Sequence, residues 1–441
     1  MSETETAMQR SVPMMFTQIA LLGLLTLATA GVHADVVFNV NTVIDLIDDN
    51  TNDGVCHTSA NTCSLRAAIM QANHWSNPEF AIINLPAGNY LLTIPIPSGG
   101  FDGEASGNLN LTAPLTADQR IVINGASAAS TIIDGNPNGN QRTGIFDVAV
   151  GRSARIANVT LRNGNSVFSG GAIRNEGTLT LANSVLEGNH AASSGGGIDN
   201  GGALIVIAST FRSNVAHSGG GIYVFGPTKI RGSTFHGNSA NYGGGIYNND
   251  DRLHIVNSTV SGNTADTDGG GIFSRVAGFL YNTSVIGNDA DHDRDEGGGY
   301  GGGVYADAGS RLVVVHSLIA GNTQRDAPID DDCHGVLETY GRNMFGEVAN
   351  CAFPNTTTWG TVLLNTIGPL QDNGGPTLTH ALLPTSQAIN GTSDPFGCVD
   401  EDGTPLTTDQ RGAPRVVGPH CDTGAFEFGA RVDPVFRNSF E

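Results

Sequence analysis

The chain has 441 residues, 60 of them glycine, with 6% aromatic and 14% charged side chains. Its 42 acidic and 21 basic residues leave a formal charge of −21, and Lys229 is the only lysine. Such a surface repels phosphate backbones and anionic lipid, so no nucleic-acid partner is expected, and so much glycine with so few aromatics argues against several globular cores.

Residues 1–34 read as a signal peptide. Arg10 supplies the positive start, Ile19 to Ala30 form a short apolar run, and Val32-His33-Ala34 precede an expected cleavage before Asp35. The run is too short to span a bilayer comfortably, so no transmembrane segment is expected in the mature chain. Six cysteines fall into three near pairs: Cys56 with Cys63, Cys333 with Cys351, Cys398 with Cys421. An even count in an exported chain predicts disulfides, and the local pairing is favoured because each pair closes a loop within one region. No Cys/His spacing supports zinc.

Residues 35–77 are expected to cap the N-terminal end. Leu65, Ala68, Ile69 and Ala72 follow helical spacing, and Ser64 can accept the first backbone N–H groups. The expectation is a short helix, clipped by Cys56–Cys63, lying over the first coil. Cys63-Ser64-Leu65-Arg66-Ala67-Ala68 resembles the CSLREA domain of exported bacterial β-helix proteins, departing at Ala67 where that family has Glu. Gly107-Asn108-Leu109-Asn110-Leu111 and Ile132-Ile133-Asp134-Gly135 look like first coils of the same family.

Residues 78–325 carry an internal repeat. Gly-Gly-Gly-Ile or its variants recur around Ile173, Ile198, Ile222, Ile246 and Ile272, then as Val304, at intervals of 25, 24, 24, 26 and 32 residues. In phase with them lie Asn189, Asn214, Asn238, Asn263, Asn288 and Asn322, with Gly164 in the Asn place one turn earlier. Three residues before each Asn stands an apolar residue such as Leu186, Phe211 or Phe235, and five before stands Ser184, Ser209, Ser233, Ser258, Thr283 or Ser317. Like residues at one period predict a coil that climbs one strand spacing, ~4.8 Å, per turn. The fold class expected is all-β, a right-handed parallel β-helix. The Asn and Gly positions are expected to turn its corners in the left-handed backbone region, and the Ser column to bond neighbouring coils. Gly170-Gly171-Ala172-Ile173, Phe211 to Asn214 and Phe235 to Asn238 resemble the polymorphic outer-membrane protein repeat of surface-exposed autotransporter passengers. No counterpart of the β-barrel that ends those proteins is expected among residues 326–441, which lack ten-residue alternating strands.

Inside the longest interval, Asp289, Asp291, Asp293, Asp295 and Glu296 alternate with other residues, a pattern able to wrap a hard cation such as Ca²⁺. It lacks the Gly and Glu of the EF-hand loop, and a solvated acidic loop competes with the metal site. Asp330-Asp331-Asp332-Cys333-His334 forms a second acidic run, read as a polar loop held by Cys333–Cys351.

Residues 326–430 form a C-terminal region rich in Pro and Gly, expected to be a loop-rich cap in which Asp409, Arg411 and Arg415 pair and satisfy backbone. Asn373-Gly374-Gly375-Pro376-Thr377, Thr379-His380-Ala381-Leu382-Leu383-Pro384, Thr408-Asp409-Gln410-Arg411-Gly412 and Cys421-Asp422-Thr423-Gly424-Ala425-Phe426-Glu427, in that order, resemble the choice-of-anchor Q domain, which implies attachment through varied terminal signals. His380, alone in its block, is read as structural. The tail 431–441 resembles short Phe-x-x-Gly-Phe-Glu endings on exported proteins.

The parallel β-helix is also the architecture of pectate lyases and polygalacturonases, but a shared fold carries little about chemistry. A lyase needs metal-binding carboxylates and a base; Lys229 stands alone after the turn Gly226-Pro227-Thr228, and no Arg sits in a lyase motif. Glycoside hydrolysis needs two carboxylates flanking the bond, and the ordered polygalacturonase blocks are missing. The expectation is an exported surface or secreted scaffold that binds extracellular carbohydrate or protein without catalysis, with a pectate-lyase-type lyase or a hydrolase as the alternative.

Overall fold

The computed structural model describes residues 35–75, 80–97, 103–112, 120–136, 143–250, 252–291, 299–324, 329–355, 359–392 and 397–433. The expected signal peptide and the last residues of the tail lie outside these.

A turn of the coil can be followed from Ile198–Asn200 through Ala203–Ile207, Thr210–Arg212 and Val215–Ser218 to Ile222–Val224, where the next turn begins. Each strand pairs in parallel with its counterpart one turn on: Ile198 with Ile222, Val206 with Ile230, Phe211 with Phe235, Val215 with Ser239. The molecule is therefore a parallel β-helix, as the repeat predicts. Strand alternation sorts the side chains: Leu204 and Val206 are buried while Ile205 between them is 39% exposed. The column from Ile173 to Val304 stays in register throughout, so the long interval is an insertion that leaves strand pairing intact. Phe211 and Phe235 stack in the core with ring centroids 4.5 Å apart.

The glycine triads mark where successive backbones approach most closely. Gly219 has φ +66°, and a Cβ on Gly220 or Gly221 would meet the carbonyl oxygen of Gly244 or Gly245 at 2.5 Å. Glycine is abundant because coil stacking at this corner leaves no room for a side chain.

The Asn column corrects one expectation. The left-handed backbone belongs to the residue before each Asn, Gly188, Ser213, Gly237, Gly262, Gly287 and Gly321. That turn sends the Asn side chain inward, where it is fully buried. Asn189 Nδ2 donates to Asn214 Oδ1 at 2.9 Å, Asn214 to Asn238 at 2.9 Å, and Asn238 to Asn263 at 2.8 Å. Asn263 continues to Asn288 at 2.9 Å and Asn288 to Asn322 at 2.8 Å. The second amide hydrogen goes to a backbone carbonyl, as from Asn238 to Phe211 O at 3.0 Å. Gly164 N begins the series by donating to Asn189 Oδ1 at 2.9 Å. Buried amides demand partners, and stacking supplies them at every coil. The Ser column behaves as expected: Ser184 N donates to Ser209 Oγ and Ser209 N to Ser233 Oγ, both at 3.2 Å.

At the N-terminal end, the helix Leu65–His74 starts on Ser64, whose Oγ accepts from Ala67 N at 3.0 Å. Leu65, Ala68, Ile69 and Ala72 join the main core beside Ile83, Leu109 and Leu111. Arg66 is buried and donates to both carboxylate oxygens of Asp45, at 2.7 and 3.1 Å, and to Gly107 O at 2.9 Å. The C-terminal end is closed by Phe353 and Trp359 packing on Phe345, at 5.4 and 6.3 Å between centroids.

The following segment does not stop at that end; it runs back along the flank. Ile367, Leu382, Ala388 and Phe426 form a second apolar cluster with Ile286, Leu318 and Met344 of the coils. Polar contacts continue it across earlier turns: Thr259 Oγ1 donates to Gln410 Oε1 at 2.6 Å, Asn257 Nδ2 to Thr408 O at 2.9 Å, and Thr377 Oγ1 to Gly232 O at 3.0 Å. His380 is buried between Ser261 Oγ and Gly368 O, each 2.8 Å away.

Candidate functional site

Next to each buried Ile of the repeat, alternation turns one side chain outward. These side chains form a file in register: Asn110, Asp147, Arg174, Asp199, Tyr223, Tyr247, Phe273, Tyr305 and His334. Its first part is polar and its second aromatic. Ring centroids are 5.0 Å apart from Tyr223 to Tyr247, 4.9 Å to Phe273, 5.0 Å to Tyr305 and 5.0 Å to His334, with planes within 16° of parallel. Parallel strands impose this spacing, so each ring face covers the next. Tyr300, from the same coil as Tyr305, also packs against His334, with centroids 4.8 Å apart. Tyr223 is different: one face rests on Tyr247, and the other turns toward the coil of Asp199, whose side chain is much shorter.

That drop from a tall side chain to a short one opens a cleft of about 420 Å³, lined by Glu176, Ser194, Asp199, Ser218, Tyr223 and Phe225 among others. Phe225 is 61% exposed. Asp199 Oδ1 accepts from Ser194 Oγ at 3.2 Å, and Ser194 Oγ meets Ser169 Oγ at 2.8 Å. Arg174 donates to Asp147 at 3.2 Å and to Glu176 at 2.9 Å. Gly201 makes room for Glu176, since a Cβ there would stand 2.7 Å from its Oε2. Burial pushes the Asp199 carboxyl up to about 6, partly opposed by the Ser194 hydrogen bond and reinforced by the charge of Glu176. Burial also raises Asp147, against the pull of Arg174. A second hollow of about 390 Å³, bounded by Glu104, Asn110, Asp147, Arg174 and Glu176, continues the cleft along the file.

The residues singled out in the sequence fall elsewhere. Asp289 and Asp291 are part of the coil: Asp289 Oδ1 accepts from Thr323 Oγ1 at 2.8 Å, and Asp291 N donates to Thr267 O at 3.1 Å. Asp293, Asp295 and Glu296 lie outside the described residues. Among the described residues, no three or more His, Cys, Asp or Glu side chains gather as a metal-binding group. In the second acidic run, Asp332 ends the Asn series: its Oδ1 accepts from Asn322 N at 2.9 Å and Nδ2 at 2.8 Å, and its Oδ2 from Glu347 N at 2.7 Å. Asp331 accepts from Gly301 N at 2.5 Å. Lys229 is engaged by Glu401 at 3.1 Å.

Cys56–Cys63, Cys333–Cys351 and Cys398–Cys421 are disulfides, with Cα atoms 5.2, 5.6 and 6.3 Å apart. Arg411 Nε and Nη2 both donate to Asp409 Oδ2, at 2.9 and 2.6 Å, while Arg415 Nη2 donates to Asn282 Oδ1 and Asp422 O, both at 3.1 Å. A hollow of about 540 Å³ lies between this segment and the flank, lined by Ile207, Val256, Pro376, Pro405 and Leu406 among others. Its main polar groups, Asp409, Gln410 and Asn257, already bond within the seam. It reads as packing space. The sequence reading missed Tyr223, Tyr247, Phe273 and Tyr305, although each directly follows the repeat's Ile or Val.

Fold and cleft together define a parallel β-helix with a surface site. Residues 257–275 match the model of the Chlamydia polymorphic membrane protein repeat. That stretch holds Asn263, the triad Gly269-Gly270-Gly271 and Ile272, so the similarity lies in the coil-forming elements of one repeat. No curated protein and no solved structure matches the chain. Among the described residues, no helix is long and apolar enough to cross a membrane.

Proposed function

We propose that the protein is an exported, surface-exposed β-helix that binds extracellular carbohydrate without catalysis, at the cleft between Asp199 and Tyr223. The observation that carries this reading is the uncovered face of Tyr223, set as one wall of a cleft whose other walls offer Glu176, Asp199, Ser194 and Ser218. A sugar presents an apolar C–H face to an aromatic ring and hydroxyls to carboxylates, and this wall supplies both kinds of partner. Export rests on the signal-like residues 1–34, and display at the cell surface on the likeness of residues 257–275 to the polymorphic membrane protein repeat.

In the same reading, 35–77 is a CSLREA-like cap, 78–325 the repeat body, 326–430 a choice-of-anchor Q-like region and 431–441 a tail. Ca²⁺ binding at Asp289, Asp291, Asp293, Asp295 and Glu296 is a separate proposal, supported by their alternating carboxylates and overturned by a calorimetric titration without heat. The main test is a panel of soluble oligosaccharides titrated into the full protein and into Tyr223→Ala. Binding by the parent and at least about tenfold weaker binding by the variant, 1.4 kcal/mol, is the expected result. Release of new reducing ends or unsaturated uronates from the panel would replace this reading with the lyase or hydrolase one.

A further inference from the structure

We infer that the cleft prefers glycans bearing free amino groups, polymers of unacetylated hexosamine, over N-acetylated or uronic-acid polymers. This rests on the carbohydrate reading above and adds the chemical class. Asp147, Glu176 and Asp199 come from successive coils and line the two joined hollows. One guanidinium stands among them, and Arg174 is already shared between Asp147 and Glu176. Asp199 is hydrogen-bonded by serine hydroxyls, and the charge of Arg174 acts on it less strongly than that of Glu176, with no ion pair to it seen among the described residues. A carboxylate held in this way, next to a second one, gains most from a cation brought by the ligand.

The Tyr223 wall points the same way, because an aromatic face attracts an ammonium as well as C–H groups. An aromatic face beside carboxylates is a general recipe for an amine. A uronate would meet Glu176 and Asp199 with like charge, on a chain whose net charge is −21. An N-acetyl group removes the cation and adds bulk at the step. Burial of Asp199 strengthens the interaction by lowering the local screening, whereas an exposed carboxylate would contribute little.

The test uses the full protein and calorimetric titration at low salt and near-neutral pH, with glucosamine oligomers, their N-acetylated counterparts and oligogalacturonate as probes. The expected result is at least about tenfold tighter binding of the amino oligomer than of the N-acetylated one. In Asp199→Asn that ratio should collapse toward one, in Asp199→Glu it should largely return, and Tyr223→Ala should weaken both oligomers together. Equal or tighter binding of the N-acetylated oligomer or the uronate overturns the amine preference and leaves carbohydrate binding standing. An unchanged ratio in Asp199→Asn also overturns it. Binding of none of the three overturns both readings.

Discussion

The buried Asn series and the outward aromatic file are built by the same rule, one residue per coil at a fixed place, yet they end differently. Along the inner series each amide satisfies the next, from Gly164 N to the carboxylate of Asp332. Along the outer file the rings satisfy one another from His334 back to Tyr223, and there the rule fails, because Asp199 takes the place before Tyr223. A column that repeats without a break uses up its own binding capacity and serves the fold. Capacity for a ligand appears where the repetition breaks, and the cleft sits at that break.

The largest effect should come from removing the inner terminus. Asp332→Ala leaves Asn322 N, Asn322 Nδ2 and Glu347 N without their buried acceptor. At about 1–3 kcal/mol for each of the three unsatisfied groups, a loss of at least roughly 3 kcal/mol is expected in denaturant unfolding. If glycan binding by the folded variant also disappears, the separation of inner and outer columns is wrong. Next comes Tyr223→Ala, which should weaken glycan binding at least about tenfold while changing stability by only about 1 kcal/mol.

A third effect depends on pH and concerns the flank-docked segment. Burial raises the Glu427 carboxyl to about 7, above its ordinary unfolded value. The folded state then holds a proton that the unfolded state has released. This contribution is full below the unfolded value and is lost as pH rises toward 7. Burial lowers His380, so the unfolded state binds the proton first, and stability falls as pH drops below the ordinary histidine value. Between the unfolded carboxyl and histidine values the two effects oppose each other, so thermal melts should vary little there, and Glu427→Gln should uncover the rise of stability with pH that His380 causes. The smallest effect is expected from Gly201→Ala, whose new methyl displaces the Glu176 carboxylate. A change of about threefold in glycan affinity, under 1 kcal/mol, with an unaltered melting temperature would fit.

Much of the fold was legible because its determinants are periodic. The Ile and Phe columns, the helix over Leu65–His74, and the disulfide pairs all follow from local spacing. The inward role of the Asn column was not legible, since it depends on which of two adjacent residues takes the left-handed backbone. The course of the C-terminal segment was hidden for another reason: contacts such as Asn257 to Thr408 join residues far apart in sequence. The cleft was half visible. Tyr223, Tyr247, Phe273 and Tyr305 stand one place after the repeat Ile or Val, on the side that alternation exposes. Glu176 and Ser194 also keep a fixed place in the repeat, but the residue type at those places changes from coil to coil, and only the folded coil sets them against Asp199.

The ending of the Asn series in a carboxylate also gives the molecule a unit of length. Each amide hand-off is the same, so a whole coil can be added or removed between Gly164 and Asp332 without stranding a donor, while any fraction of a coil strands several. Height is therefore quantised at one coil, ~4.8 Å, while a loop insertion within a coil, as before Val304, leaves the series intact. A coil inserted upstream of Gly232, where the docked segment makes its Thr377 contact, would carry the polar part of the outward file one step away from that segment. Repeat number then acts as a ruler, setting the distance between the cleft at Asp199 and Tyr223 and the flank fixed by the C-terminal segment.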